Sequence, residues 1–148
     1  MKATNDIIKE SLRPAVGLKI WNAHETMGIK FELGKEVEKG QGEFHFWIFC
    51  SYWWLKKGKG RDFENVVNSE SNKDAIEKKV KILNGKKLIG VEYHDDGLTT
   101  FFDFEDDLFL HVAPYGTDKK DRPQWQLFTE KQIITLQQDG TYRVGINE

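Results

Sequence analysis

Cysteine is almost absent from this sequence, since Cys50 is the single one among 148 residues. An intrachain disulfide is therefore excluded, and the usual zinc signatures fail because no second cysteine and no i, i+4 pair of histidines occurs. Cys50 stands in an apolar run, where a thiol behaves as a small hydrophobe. We expect a buried Cys50, a reducing compartment, and no metal or cofactor.

Long hydrophobic runs are also missing, because no stretch of about 18 apolar residues occurs anywhere. The first residues, "MKATNDIIKESLRP", contain neither the apolar core nor the small-residue cleavage site of a secretory signal. We therefore expect a soluble, cytoplasmic protein that makes no membrane contact.

Charge of one sign is not in excess, because the formal net charge is only -2. Nucleic acids and anionic membranes need a concentrated positive field, so neither is expected as a partner. Two basic clusters beside aromatic residues leave open a binding platform for single-stranded nucleic acid. The clusters are Lys56, Lys57, Lys59 and Arg61, and Lys119, Lys120 and Arg122. No nucleophile elbow, phosphate loop or dinucleotide motif occurs, so no catalytic residue is assigned.

Hydrophobic and aromatic residues are plentiful, at 39% and 13% of the chain, which predicts one folded domain over 1–148. The pattern is mostly β: alternating runs separated by Gly and Asp turns predict antiparallel meanders, with Asp96-Gly97 and Asp139-Gly140 as hairpin turns. One helix is expected over 72–83, with Ser71 and Asp74 as a capping box and Asn84-Gly85 at its end. Residues 4–13 fit a short N-terminal helix. The fold class is α+β, with the 72–83 helix packed on the sheet.

The stretch "GEFHFWIFCSYWWLKKGKG" over 42–60 has apolar residues on both faces of a strand at about 43–50. This pattern favours a central strand covered on two sides over a ligand cage. Trp53 and Trp54 are adjacent and point to opposite faces, so one of them is expected to be exposed.

Two regions of the chain resemble each other, since 16–67 and 86–146 share the order strand, His with an acidic neighbour, Gly, strand. In that comparison Trp47 corresponds to Trp125. Either the domain contains a duplicated half or the likeness is the one that any two meanders share.

Carboxylates are concentrated over 88–117, where no Lys or Arg occurs. If two neighbouring hairpin turns present them together, they form an anionic surface suited to a basic partner. The alternative is that they merely occupy solvated turns. The seven residues are Glu92, Asp95, Asp96, Asp103, Glu105, Asp106 and Asp107.

Glu43 and His45 lie two residues apart on one face of the predicted strand. They could form an acid–base pair in a small-molecule or enzymatic site that uses the aromatic strand 44–54. That reading predicts an enclosed cavity with both groups pointing into it. The alternative is the end of a strand that reaches solvent.

The segments "GEFHFWIFCSYWW", "LNGKKLIGVEYHDDGLTTFFDFEDDLFLHVAP" and "QWQLF", together with a terminal DG-x-Y, resemble small bacterial immunity proteins encoded beside polymorphic toxins. The resemblance spans about residues 16 to 144 and includes a strand of G-E-x-H-x-W-I type. It implies a compact, non-catalytic α+β protein that binds a cognate toxin domain and blocks its active site. It transfers no site residue.

Overall fold

The structure, a computed structural model, describes residues 1–59, 62–116 and 121–147. Within these ranges the chain is α+β, as predicted, with antiparallel strands and two short α-helices. The helices are α1 (Asn5–Leu12) and α2 (Lys73–Lys79), and each runs on into a 3-10 turn, Arg13–Ala15 and Val80–Leu83. The strands are β1 (Ile20–Glu25), β2 (Ile29–Glu38), β3 (Gln41–Ile48), β4 (Ser51–Lys59), β5 (Asp62–Asn68), β6 (Leu88–His94), β7 (Thr99–Phe104), β8 (Leu108–Pro114), β9 (Pro123–Phe128), β10 (Gln132–Gln137) and β11 (Tyr142–Ile146).

The strands form two sheets that face each other. One sheet has the order β1-β2-β3-β9-β10-β11 and the other has the order β5-β4-β8-β7-β6. Phe46 of the first sheet meets Phe102 of the second with ring centroids 4.8 Å apart. The indole nitrogen of Trp125 donates to the hydroxyl of Thr100 across the same interface, at 3.1 Å. The core is therefore the shared interior of a sandwich.

The two helices close the open sides of this sandwich. Along β6, the amide of Tyr93 donates to Asn5 of α1 (2.8 Å), and Ser11 of α1 meets Tyr142 of β11 (2.6 Å). On the opposite side, the amide of Glu25 in β1 donates to Glu77 of α2 (2.7 Å), and α2 also contacts β5. Side chains of the helices thus satisfy backbone groups that an edge strand leaves unpaired.

The helix predicted over 72–83 is present, but its N-cap is Asn72 and not Ser71. The side chain of Asn72 accepts from the amide of Ala75, whereas Ser71 accepts from Asn68. Thr4 caps α1 in the same way, by accepting from the amide of Ile7. Pro14 lies at the second position of the 3-10 turn that follows α1, where a backbone N–H is not needed.

The long aromatic stretch is two strands and not one. Cys50 has a φ of 57°, in the left-handed region, and the chain leaves the first sheet at Ile48 and enters the second at Ser51. Cys50 is exposed, so its predicted burial is wrong. In the "KKGKG" segment, Lys56 to Lys59 belong to β4. Residues 60 and 61 lie outside the described ranges.

The central position predicted for the 43–50 strand is confirmed, because β3 pairs with β2 and with β9. Its inner face is core, since Phe46 and Ile48 are buried. The outer face was expected to be buried as well, but Trp47 and Phe49 are only half-buried and stack on each other at 4.1 Å. Apolar residues on both faces therefore do not mean two buried faces.

The two regions that resemble each other in sequence occupy exchanged positions in the sandwich. The third strand of the first region, β3, pairs with β9, while the third strand of the second, β8, pairs with β4. At the centre, Gly17 N donates to Leu88 O, and Gly85 N donates to Ile20 O. The two sheets thus have matching strand orders, and each region contributes strands to both. In this arrangement the counterpart of β9 is β4, so Trp125 does not correspond to Trp47.

Candidate functional site

The adjacent tryptophans Trp53 and Trp54 lie on opposite faces of β4, as predicted. Trp53 points inward and is 2% exposed, which makes it part of the core and rules it out as an exposed aromatic. Trp54 points outward and is half-buried. Because β4 is flanked by β5 and β8, Trp54 lies in the middle of an outer sheet face.

That outer face is covered by aromatic side chains from three neighbouring strands. Strand register aligns Trp54 of β4 with His111 of β8, His111 with Phe101 of β7, and Phe101 with Glu92 of β6. The ring of His111 lies 4.9 Å from that of Trp54 and 4.4 Å from that of Phe101. We call this surface the aromatic face; its members are Tyr52, Trp54, Phe63, Phe101, Phe109, His111 and Tyr115.

Several of these rings are open to solvent. Phe63 is 44% exposed and Tyr115 57% exposed, and Tyr52 connects Tyr115 to Trp54 through ring contacts. Among the described elements, α1 contacts this sheet at its edge strand β6, and α2 contacts it at the opposite edge strand β5. Contiguous exposed rings of this kind mark an interaction surface, because a soluble protein otherwise scatters its exposed apolar side chains.

Among the described residues, one cation lies over the rings. The ammonium of Lys56 is 4.4 Å from the centroid of Phe63, 5.8 Å from Trp54 and 6.0 Å from Phe109. The negative faces of aromatic rings attract a cation at these distances. Lys56 therefore makes cation–π contacts with rings from three neighbouring strands.

His111 adds an uncharged ring to the aromatic face at neutral pH. Burial lowers the pKa of His111 to about 4, and the charges of Lys56 and His94 act in the same direction. A neutral imidazole between Trp54 and Phe101 extends the stacked surface without adding a charge. The electrostatics of this face are therefore set by Lys56 at one side and by carboxylates at the other.

The carboxylate side is formed by Asp103 and Glu92. Asp103 projects from the same face as Phe101 and has Phe109 and Gly90 as its cross-strand neighbours. Partial burial raises the pKa of the Asp103 carboxyl, and the charge of Glu92 raises it further. Glu92 is bonded to Lys9 at 2.7 Å, which lowers its pKa. Asp103 has no ion pair with any residue that the structure describes.

The other predicted acidic residues do not form one surface with these two. Asp95 and Asp96 lie in the β6–β7 turn, whereas Glu105, Asp106 and Asp107 lie in the β7–β8 turn, at the opposite end of β7. At about 3.3 Å per residue the two turns are roughly 17 Å apart. Lysines from elsewhere in the chain pair with two of them, Lys86 with Asp106 (2.6 Å) and Lys59 with Asp107 (3.9 Å).

The turn before β7 differs in one detail from the hairpin that the sequence predicts. The residue with positive φ is Leu98 (54°) and not Gly97, whereas Gly140 (84°) behaves as expected in the Asp139-Gly140 turn. The glycine of Asp139-Gly140 thus takes the positive φ expected of a hairpin turn, and the glycine of Asp96-Gly97 does not.

Glu43 and His45 line a second region, on the first sheet. An open cleft of about 1070 Å³ separates the β2–β3 arm from the β9–β10 turn, and both residues border it. The carboxylate of Glu43 accepts from the backbone amide of Lys35 at 2.9 Å, and the ring of His45 stacks on Phe128 at 4.4 Å. The two groups therefore engage different partners, and the predicted enclosed cavity is an open cleft.

The carboxylate nearest to His45 is that of Glu32, its cross-strand neighbour on β2. Oε1 of Glu32 lies 3.9 Å from Nδ1 of His45, beyond hydrogen-bond distance, and accepts from the amide of Gly42 at 2.9 Å. Burial raises the pKa of Glu32, which is 2% exposed, and lowers the pKa of His45 to about 4. His45 is therefore neutral at pH 7 and makes no ion pair with Glu32.

Cys50 borders a smaller cavity of about 470 Å³ at the crossover between the sheets, together with Phe49, Tyr115 and Arg122. Its backbone carbonyl accepts from the side chain of Gln138 at 2.7 Å, which fixes the crossover. No group of three or more metal-ligating side chains occurs among the described residues. None of the described helices has the length and apolar character needed to cross a membrane.

Comparison with known proteins found no matching family model, no matching curated protein and no matching solved structure.

Sequence reasoning missed most of the aromatic face and the buried carboxyl of Glu32. The alternation in "TTFFDF" and "LFLHVA" does place Phe101, Phe109 and His111 on one side of their strands. Which side faces solvent depends on the pairing of β4 with β8, and these strands are far apart in sequence. Glu32 and His45 are likewise brought together only by the β2–β3 register.

Proposed function

We propose that this protein is a non-catalytic binding protein that acts in the cytoplasm, and that its partner is a toxin domain of the kind that immunity proteins neutralise. The toxin as partner comes from the resemblance in sequence. What supports a protein partner is the aromatic face, where Tyr, Trp and Phe side chains are exposed together on a rigid sheet. Aromatic residues of this kind contribute most of the binding energy in protein interfaces.

The composition of the aromatic face also favours a protein over a nucleic acid. A single-strand platform combines stacked rings with a cationic groove for phosphates. Here the rings are bordered by Asp103 and Glu92, and Lys56 is already bound to its own aromatic neighbours. Lys119 and Lys120 of the second basic cluster lie outside the described residues.

The decisive experiment is binding to the toxin domain encoded by the neighbouring gene, measured by co-purification and by calorimetry. Trp54→Ala should weaken binding at least tenfold, because a half-buried aromatic at the centre of an interface is a typical hot spot. Trp47→Ala is the matched control, since Trp47 is a half-buried tryptophan on the outer face of the other sheet. Equal losses in both variants, or a loss only in Trp47→Ala, would exclude the aromatic face as the docking surface.

Two further arms separate the alternatives. Charge reversal of Asp95, Asp96, Asp106 and Asp107 should leave binding within about threefold, because rim charges contribute little to affinity. A large loss would instead support an interface formed by the acidic turns. Binding of a twelve-residue oligothymidylate that Trp54→Ala abolishes would favour a nucleic acid as the partner.

The cleft beside Glu43 and His45 supports a second candidate function, the binding of a small molecule. Its volume and mixed polar and aromatic lining are those of a ligand site. A thermal-shift screen with metabolites tests it: a compound that stabilises the wild type but neither Glu43→Gln nor His45→Gln would support this function. A screen in which every compound acts equally on all three would count against it.

A further inference from the structure

The strongest unassigned feature is a gap in the aromatic face beside Asp103. Gly90 is the cross-strand neighbour of Asp103 on β6 and contributes no side chain to the face. A Cβ placed on Gly90 would meet no atom within 4 Å. An open notch thus lies next to the Asp103 carboxylate, on the side away from Phe109.

The surroundings of this notch are suited to one kind of side chain. Phe101 and Phe109 neighbour Asp103 on its own strand and across to β8, and Glu92 follows Gly90 by two residues on the same face. Lys9 already pairs with Glu92, whereas Asp103 has no ion pair among the described residues. Partial burial and the charge of Glu92 raise the pKa of Asp103.

We propose that the notch formed by Gly90, Phe101, Asp103 and Phe109 receives an arginine side chain of the protein partner. A guanidinium can stack on an aromatic face and donate two parallel hydrogen bonds to one carboxylate. A lysine ammonium would lack the planar stacking, and an anionic or purely apolar group would leave Asp103 unpaired. The identity of the partner as a toxin domain rests on the proposed function, but the chemistry of the notch does not.

The glycine offers an unusual test, because filling the notch should not damage the fold. Gly90 has no positive φ and its Cβ position is open, so Gly90→Val is compatible with the strand. This variant should fold with at least wild-type stability and yet exclude the guanidinium. Asp103→Asn removes the charge and keeps the shape.

The first measurement uses methylguanidinium chloride as the probe and follows backbone amide resonances at constant ionic strength. The amides of Gly90, Phe101 and Asp103 should shift in the wild type, and the shifts should fall at least fivefold in Gly90→Val and Asp103→Asn. Methylammonium chloride should cause clearly smaller shifts. Equal shifts in the wild type and both variants, or shifts centred on Asp95 and Asp96, would overturn the proposal.

The second measurement repeats the toxin-domain titration with the same two variants. Each should weaken binding by about tenfold, while Asp95→Asn, in the turn beyond β6, should change it less than twofold. If Trp54→Ala abolishes binding and neither notch variant has an effect, the proposed function stands and the arginine site is wrong. If methylguanidinium binds at the notch and no toxin domain binds, the arginine site stands and the proposed function is wrong.

Discussion

Two partly buried histidines, His45 of β3 and His111 of β8, differ in the neighbours that surround them. Each is on the third strand of its half, each stacks on another ring at 4.4 Å, and burial lowers the pKa of each to about 4. The cross-strand neighbour of His45 is Glu32, whereas that of His111 is Phe101.

The outer surfaces around the two histidines differ in the same way, because one is polar and the other is aromatic. On the first sheet, Glu32 and the β2–β3 arm accompany a polar, open cleft. On the second sheet, Phe101 connects His111 to a stacked aromatic surface. The same topology and the same burial of a histidine thus carry two different kinds of surface. Strand pairing, and not the residue type alone, therefore decides whether a histidine lies in a polar cleft or in an aromatic surface.

The largest expected effect is the difference in stability between alanine substitutions on the inner and outer faces of β4. Trp53→Ala should destabilise the protein by about 4 kcal/mol, because it leaves a large cavity in the shared core. Trp54→Ala should cost only about 1 kcal/mol and act on binding instead. Urea unfolding measures both, and similar losses for the two tryptophans would mean that the outer face is structural.

The next largest effect is the loss of stability in acid that each histidine causes. A lowered histidine pKa means that stability is complete above pH 6.5 and is lost as the pH falls towards 4, since the unfolded state binds the proton first. For His111 this loss amounts to about 3 kcal/mol. His111→Phe should therefore reduce the difference between the urea midpoints at pH 7 and pH 4.5.

His45 and Glu32 together should lose less stability in acid than His111, because the titration of Glu32 acts in the opposite direction to that of His45. A raised carboxyl pKa makes the folded state gain stability as the pH falls through that pKa. Glu32→Gln should therefore increase the acid sensitivity of the protein. If Glu32→Gln leaves the midpoints at pH 7 and pH 4.5 unchanged relative to the wild type, the proposed contrast between the two histidines fails.

The helix caps test whether the two halves contribute equally to stability. Thr4→Ala and Asn72→Ala each remove one side-chain acceptor from the first turn of a helix that closes one side of the sandwich. Each should cost about 1 kcal/mol in urea unfolding. Thr4→Ser and Asn72→Asp keep the acceptor and should retain most of the stability; a cost for only one of the two alanine variants would show unequal halves.

The smallest effect concerns Asp103, for which only a direction is expected. Its raised pKa means that the ionised form is unfavourable in the folded state, so Asp103→Asn should raise the melting temperature slightly at pH 7. This advantage should disappear as the pH falls through the carboxyl pKa. A lower melting temperature in Asp103→Asn at pH 7 would indicate a stabilising contact for this carboxylate within the fold.

The elements themselves could be predicted because local rules decide them. Alternation identified most strands. The caps and glycines located α1, and α2 together with its 3-10 turn, within one residue at each end. The burial predicted for Cys50 was wrong because backbone conformation was not considered. Cys50 was assigned to the core because its neighbours are apolar, but its left-handed backbone conformation ends β3 and turns the chain into the other sheet.

The candidate site was harder to predict because it depends on distant pairings. The sequence correctly placed Trp53 and Trp54 on opposite faces, yet only the packing of the sheets shows that Trp53 is the buried one. The seven carboxylates would form one surface only if the two hairpin turns lay together, but β7 separates the two turns. Their neighbours Lys9, Lys59 and Lys86 come from other parts of the chain.

The sequence by itself determined the α+β class, the alternation of faces along each strand and the ends of the helices, because these depend on residues a few positions apart. The tertiary structure decided which faces meet water and which strands are neighbours. It alone brings Trp54 beside His111, His111 beside Phe101, and Asp103 beside the open position at Gly90. The physical reason is that register and sheet order are fixed by the burial of a core to which both halves of the chain contribute.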